Sequence, residues 1–227
     1  MPEQSGSNHH TRQTQGRYDR QASVFDAVET PFELFAFKAL RKKLWAKVSG
    51  ARVLEIGVGT GKNLAYHPQG VRSVAIDLSP RMLERAIRRA EKSGRPVDLI
   101  LADAQHLPFR DGVFDAAAAT FVFCSVPDPV LGLSEVARVV RGEGQIHLLE
   151  HVRSGNSIAG RFMDLLNPLA VRFSGANINR NTVSNVAKAG VKVDSVASRG
   201  LGIIKVIRAS VERAVAADSG QGSEPGK

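Results

Sequence analysis

The segment Val53-Leu-Glu-Ile-Gly-Val-Gly-Thr-Gly-Lys-Asn63 places glycines at 57, 59 and 61, directly after a run of strand-forming residues. Without a Cβ, glycine lets a chain turn tightly and lets backbone approach a ligand closely. A dinucleotide fingerprint would set its third glycine at position 62, where this chain has Lys62. Twenty residues beyond Gly57, a second apolar run, Val74-Ala-Ile-Asp77, ends in a carboxylate. A carboxylate there can accept hydrogen bonds from two ribose hydroxyls. A third run ends at Leu101-Ala-Asp103-Ala104, whose carboxylate and following N–H can read an adenine edge. A fourth opens at Phe114-Asp115 and ends at Thr120-Phe121. Any one of these acids could equally cap a helix or end a strand in water. Three in order, at these spacings, converge on a nucleoside.

The elements that must hold these residues alternate between the two periods. Strands are expected at 52–56, 72–76, 97–101, 114–121 and 145–150, with a final pair at 191–198 and 203–209 around the turn Gly200-Leu201-Gly202. Helices are expected at 32–48, 81–93, 129–140, 159–173 and 182–189. Ser79-Pro80 supplies an N-cap and a first-turn proline, and Gly94 a stop. The expected fold is α/β: a Rossmann-like, doubly wound, mostly parallel seven-stranded sheet with an antiparallel C-terminal edge hairpin. Right-handed crossovers then gather the loops after the early strands in one crevice. The expected organisation is a single domain over 17–214, between disordered polar tails at 1–16 and 215–227. Within it, 17–50 would form N-terminal cap helices, 51–152 the cofactor-binding core, 153–190 an acceptor lid, and 191–210 the last strands.

Composition narrows the class. Of 227 residues, 43% are hydrophobic and 23% charged, as in a globular enzyme rather than a disordered chain. One cysteine, Cys124, excludes an internal disulfide framework and fits a reducing compartment. The apolar run 116–126 is too short to span a bilayer, and the polar start is unlike a secretory signal, so a cytoplasmic protein is expected. A net charge of +9 favours anionic partners without choosing among membrane, nucleic acid and acidic substrate.

Glu55-x-Gly-x-Gly-Thr-Gly, Asp77, Asp103-Ala104, Leu107-Pro-Phe109 and Phe114-Asp115 together resemble the class I S-adenosylmethionine-dependent methyltransferases over roughly 53–150. The resemblance implies S-adenosylmethionine as cofactor. Gly57 and Gly59, with Gly61 completing the turn, would face its methionine part. Asp77 would hold the ribose, Leu78 would pack on adenine, and Asp103-Ala104 would bind the adenine edge. Glu55 would anchor the loop, and the Thr120 carbonyl would receive the cofactor's amino group. Tyr18-Asp-Arg-x-Ala-x-x-Phe25-Asp26 is similar to a segment of quinone- and phospholipid-methylating members. Cys124-Ser-Val-Pro-Asp-Pro129, Glu150-His-Val152, Gly175-x-Asn177 and Arg180 are similar to bacterial phospholipid N-methyltransferases and membrane-associated thiol S-methyltransferases.

A sulfonium methyl group is already activated, so such an enzyme must align the acceptor, exclude water and free a lone pair; no metal is required. A thiol near pKa 8.5 costs roughly 2 kcal/mol to ionise at pH 7, and an alkylammonium near 10.4 roughly 5 kcal/mol, so an amine leans harder on a base. His151, directly after the fifth strand, is the expected base, with Glu150 available to orient it. A strand-end histidine bonded to backbone is the competing reading. Tyr18 would close over the cofactor, or simply pack. Cys124 reads as a buried small hydrophobe and His106 as a loop residue. Phe37, Leu40, Leu44 and Val48 form an apolar stripe bordered by Leu34 and Trp45, with Lys38, Lys42, Lys43 and Lys47 away from it and Arg41 inside it. That helix would either sit on an anionic lipid surface or pack on the sheet. The segment 158–179, rich in Phe162, Met163, Leu165, Leu166, Leu169, Val171 and Phe173, is expected to line a greasy acceptor pocket.

The expected activity is methyl transfer to a small lipophilic or lipid head-group acceptor, a phospholipid amine first, at a peripheral membrane surface. Thiols and quinone-like rings are the alternatives. An RNA methyltransferase is disfavoured by scattered basic residues and few aromatic ones. A nicotinamide-dependent dehydrogenase is disfavoured by Lys62.

Overall fold

The computed structural model describes residues 3–32, 37–94 and 96–212 of the chain. Helices α1 (Glu3–Phe32) and α2 (Lys38–Trp45) precede strand β1 (Arg52–Ile56). Then come β2 (Arg72–Asp77), α3 (Pro80–Ser93), β3 (Val97–Leu101), β4 (Phe114–Thr120), α4 (Pro129–Val139) and β5 (Val140–His151). The chain continues through α5 (Ser157–Ser174), α6 (Thr182–Lys188), β6 (Lys192–Arg199) and β7 (Ile204–Ser210). The seven strands form one sheet in the order β3-β2-β1-β4-β5-β7-β6. Pairing is parallel from β3 to β5, and β7 is antiparallel to both β5 and β6. The reversed strand is thus not the edge: β7 slots between β5 and β6, which runs with the first five.

The local chemistry explains these elements. Ser79 caps α3 by accepting from the Met82 N–H, Pro80 opens the helix, and Gly94 ends it with φ of 63°. Asp128 caps α4 in the same way, accepting from Val130 and Leu131 N–H. Leu54 and Ile56 of β1 face a large core with Leu133, Val136 and Val186 from α4 and α6. Val53, on the other face, packs with Leu44, Trp45 and Val48. The stripe of α2 is therefore core, with Phe37 and Leu40 packed against it, while Lys42, Lys43 and Lys47 are exposed. Leu34 lies outside the described residues, as does the expected tail 215–227.

Two expectations meet a different arrangement. The N-terminal tail expected through residue 16 is helical from Glu3, continuous with α1. Phe162, Leu165 and Leu169 of α5, expected to line a pocket, are instead 60%, 75% and 54% exposed. No helix among the described residues is long and apolar enough to cross a membrane.

Candidate active site

The carboxyl edge of β1, β2 and β4 opens onto a cavity of about 320 Å³. Its wall includes Tyr18, Gly57, Gly59, Asp77, Leu78, Asp103, Ala104, Thr120 and His151. Nine of the eleven residues singled out from the sequence thus meet at one space, although they come from six separate parts of the chain. The other two, Glu55 and Gly61, support it from behind.

The glycine turn is left-handed at all three positions, with φ of 65°, 55° and 85° at Gly57, Gly59 and Gly61. A Cβ on Gly57 would stand 2.4 Å from Val122 Cγ2, and one on Gly61 would stand 2.8 Å from Leu64 Cδ1. A Cβ on Gly59 would meet nothing within 4 Å. Gly57 and Gly61 are thus glycine for protein packing, whereas Gly59 leaves a gap on the cavity wall that suits a close ligand.

Asp77 follows as β2 ends. Its two oxygens accept from Gly59 N–H at 2.8 Å and Ser79 N–H at 2.9 Å. Burial pushes its carboxyl up to about 6, against those backbone donors, with the Glu55 charge adding to the rise. Asp103 accepts from Gln105 N–H at 2.9 Å and from the Gln105 side chain at 3.1 Å. Both carboxylates are held rigid; Asp77 keeps lone pairs, since an ionised carboxylate offers about four acceptor sites, whereas Asp103 Oδ2 is shared with Gln105 Nε2 and Thr11.

Helix α1 lies across the mouth. Thr11 hydroxyl approaches Asp103 Oδ2 at 3.4 Å, and Gln105 Nε2 donates to Thr11 Oγ1 at 3.1 Å. Ser79 hydroxyl donates to Asp19 Oδ1 at 2.5 Å, and Tyr18 Oη meets Ser125 Oγ at 2.6 Å. Thr14, Tyr18 and Phe25 face the cavity from this helix.

Glu55 is buried and anchors the loop through side chains. It accepts from Asn63 Nδ2 at 2.6 Å and pairs with His67 Nε2 at 2.7 Å. His67 in turn stacks on Trp45, with ring centroids 4.3 Å apart. Arg41 joins this network, donating to Asn63 Oδ1 at 3.2 Å and Thr120 Oγ1 at 2.5 Å, and it lines the cavity. Arg41 was not among the expected site residues. Its one sequence signal is a charge inside the apolar stripe of α2.

His151 lines the same cavity, as do Ser125, Asn177 and Ile178. Burial holds its imidazole below the usual range, opposed by a hydrogen bond to the backbone of Ile178. Its Nδ1 is buried without a partner among the described residues. Glu150 does not orient it. The Glu150 carboxylate instead accepts from Val122 and Phe123 N–H at 3.0 and 3.1 Å, bracing the loop after β4. Side chains alternate along a strand, so neighbours at 150 and 151 point to opposite sides. Burial pushes the Glu150 carboxyl up to about 7. Cys124 is 3% exposed, and burial with the nearby Glu150 charge pushes its thiol up to about 12, so it is no nucleophile. Asn177 donates to the Cys124 carbonyl through both its N–H and its Nδ2, which ties the segment after α5 to the cavity. His106 is exposed in its loop.

The sheet order and crossovers are Rossmann-like, and residues 54–148 match the family described as Methyltransferase domain. Particular relatives extend the likeness. The chain is 42% identical over 104 residues to a phosphatidylethanolamine N-methyltransferase of Cereibacter sphaeroides, covering 45% of this chain and 51% of that protein. It is 33% identical over 142 residues to a demethylmenaquinone methyltransferase of Clavibacter sepedonicus, covering 61% and 58%. Two human thiol S-methyltransferases match at 29% and 30% identity. The chain spans about half the length of the curated relatives it matches. A solved structure from Thermotoga maritima, described as a possible histamine N-methyltransferase, shares the fold with a TM-score of 0.68 at 23% identity. It covers 88% of this chain and 100% of that one. The likeness to methyltransferases drawn from the sequence is met again in these relatives, and the expected fold in the solved structure.

Proposed function

We propose that this protein transfers a methyl group from S-adenosylmethionine to a lipophilic or lipid head-group acceptor, a phospholipid amine first. The observation that carries the reading is convergence: the glycine turn, two strand-end carboxylates and a histidine share one cavity. The cofactor fits these residues. Gly59 leaves the space a Cβ would fill, Asp77 has lone pairs for two ribose hydroxyls, and Asp103 with the Ala104 N–H suits an adenine edge. Leu78 offers an apolar wall to the base. Thr120 and the turn at Gly57 flank the position for the methionine part.

When bound, S-adenosylmethionine supplies a methyl group on a positively charged sulfur. The chain must then present a neutral acceptor in line with that methyl group and keep water away. Helix α1, with Tyr18 bonded to Ser125, covers the mouth. Burial favours the neutral imidazole of His151, and its Nδ1, unpaired among the described residues, accepts the proton that an amine must lose. The apolar wall of Phe37, Phe121, Val122 and Ile178 suits a lipophilic acceptor.

Among acceptors, the phospholipid amine is favoured because the relative of that name has the higher identity, 42% against 33% for the quinone-methylating one. A thiol is the second reading, since His151 would serve it equally. The experiment is a tritiated-methyl transfer screen across phospholipids, thiols, quinones and RNA, read by extraction into organic solvent. Label in phospholipid is expected. Label in thiol, quinone or RNA alone would replace the acceptor, and failure to bind S-adenosylmethionine by calorimetry would overturn the reading.

A further inference from the structure

Helix α5 is amphipathic in the inverted sense. The side away from its apolar stripe is tied to neighbouring loops: Asp164 pairs with Arg153 at 2.8 Å and accepts from Asn179 at 3.1 Å, and Asn167 Oδ1 accepts from Ile178 N–H at 2.9 Å. Met163 Sδ receives the Ser154 N–H at 3.3 Å on that same side. Ile158, Phe162, Leu165, Leu166 and Leu169 are 80%, 60%, 75%, 36% and 54% exposed. At 3.6 residues per turn these five fall within an arc of roughly 100°. Leaving so many large apolar groups in water on one stripe is unusual for a soluble surface.

We propose that this stripe docks on an anionic lipid bilayer and brings the acceptor end of the cavity to the membrane surface. Charge selects the occupant. Arg161 and Arg172 are exposed on one flank of the stripe, where long basic side chains can reach head groups while the apolar residues enter the acyl boundary. Asp164, the one acid of the helix, lies off the stripe and is paired with Arg153, so the stripe itself carries no negative charge. The chain as a whole is +9. Position agrees with charge. Gly175 caps α5, and Ala176, Asn177 and Ile178 immediately after it line the cavity beside His151. A second copy of the chain is the weaker occupant: five side chains of one helix expose a few hundred Å², against about 800 Å² per partner in a stable interface. The stripe of α2, in contrast, is spent on the sheet. The docking surface stands on this geometry, and only the benefit of docking rests on the lipid-acceptor reading.

The test uses the full chain with phosphatidylcholine vesicles, with and without phosphatidylglycerol, read by cosedimentation. The wild type is expected to sediment with the anionic vesicles. The triple variant Phe162→Ser, Leu165→Ser, Leu169→Ser is expected to bind at least about tenfold more weakly, with unchanged Tm and unchanged calorimetric affinity for S-adenosylmethionine. Arg161→Glu with Arg172→Glu is expected to weaken binding to the anionic vesicles only. A wild type that stays in the supernatant, or a triple variant that sediments as well as wild type, overturns the proposal. So does light scattering that shows a wild-type dimer dissociated by the triple variant without vesicle binding. Vesicle binding without cofactor binding would sink the proposed reaction and leave the surface standing; cofactor binding without vesicle binding would do the reverse.

Discussion

Asp77→Asn separates cofactor binding from folding, because its two effects on stability oppose each other while its effect on affinity does not. The wild-type carboxylate is buried at a cost: a rise from 3.8 to about 6 corresponds to about 3 kcal/mol against the charged form at neutral pH. The amide removes that cost. It also keeps only one carbonyl oxygen where two backbone donors, Gly59 and Ser79, now have one oxygen each. Leaving one N–H unsatisfied costs about 1–3 kcal/mol. The two nearly offset, so Tm is expected to move by only a few degrees. Binding has no such compensation. Bonds from the ribose to a charged acceptor are worth about 1.5–3 kcal/mol each, and a net loss of about 2–4 kcal/mol weakens Kd roughly 30- to 1000-fold. Titration calorimetry with S-adenosylmethionine measures this directly.

The pH dependence supplies a second arm. A carboxyl whose folded value is raised contributes stability that is full below the unfolded value and is lost as pH rises through about 6. From pH 7 to 5, Asp77 therefore stabilises the wild-type fold while its affinity for the cofactor falls. The asparagine variant should lack both contributions, so the difference between the two proteins isolates this group from Glu150 and His151. An affinity within about threefold of wild type, or a wild-type affinity no more sensitive to pH than the variant's, would refute the ribose role of Asp77.

Other perturbations follow from the same geometry. His151→Gln should lower kcat with an amine acceptor by about 10²–10⁴-fold while leaving cofactor Kd unchanged, as rapid-quench and calorimetric measurements would show. Because burial depresses the wild-type imidazole, the acid limb of kcat against pH should lie below 6.5. Glu150→Ala strips the acceptor from two buried N–H groups and should lower ΔG of unfolding by about 2–5 kcal/mol in a urea titration. Glu150→Gln, which keeps a carbonyl in place, should restore much of it. Gly59→Ala, with φ of 55° but no protein atom in the way, should cost only about 1–2 kcal/mol of stability yet abolish measurable cofactor binding. Gly57→Ala, blocked by Val122, should lose more stability on thermal denaturation.

The glycine-and-acid side of the candidate site is legible through local rules. Three alternating glycines need left-handed backbone wherever they fold, and an acid that ends a parallel strand reaches the same edge by the handedness of the crossover. Gly57, Gly59, Gly61, Asp77 and Asp103 could therefore be placed before any contact was known. Ser79-Pro80 and Gly94 bounded α3 for the same reason. The acceptor side follows no such rule. A stripe of apolar residues states that a helix has two faces, without stating which face finds a partner. The stripe of α2 was covered by the sheet, with Arg41 carried into the cavity, whereas the richer stripe of α5 was left outward because its polar face pairs with the loops on either side. Glu150 likewise braces the loop after β4 rather than its sequence neighbour, and α1 runs helical across the mouth through a stretch with no apolar period. Backbone conformation is a property of a few adjacent residues. Burial is a property of whatever the rest of the chain brings alongside, and only the assembled fold decides it.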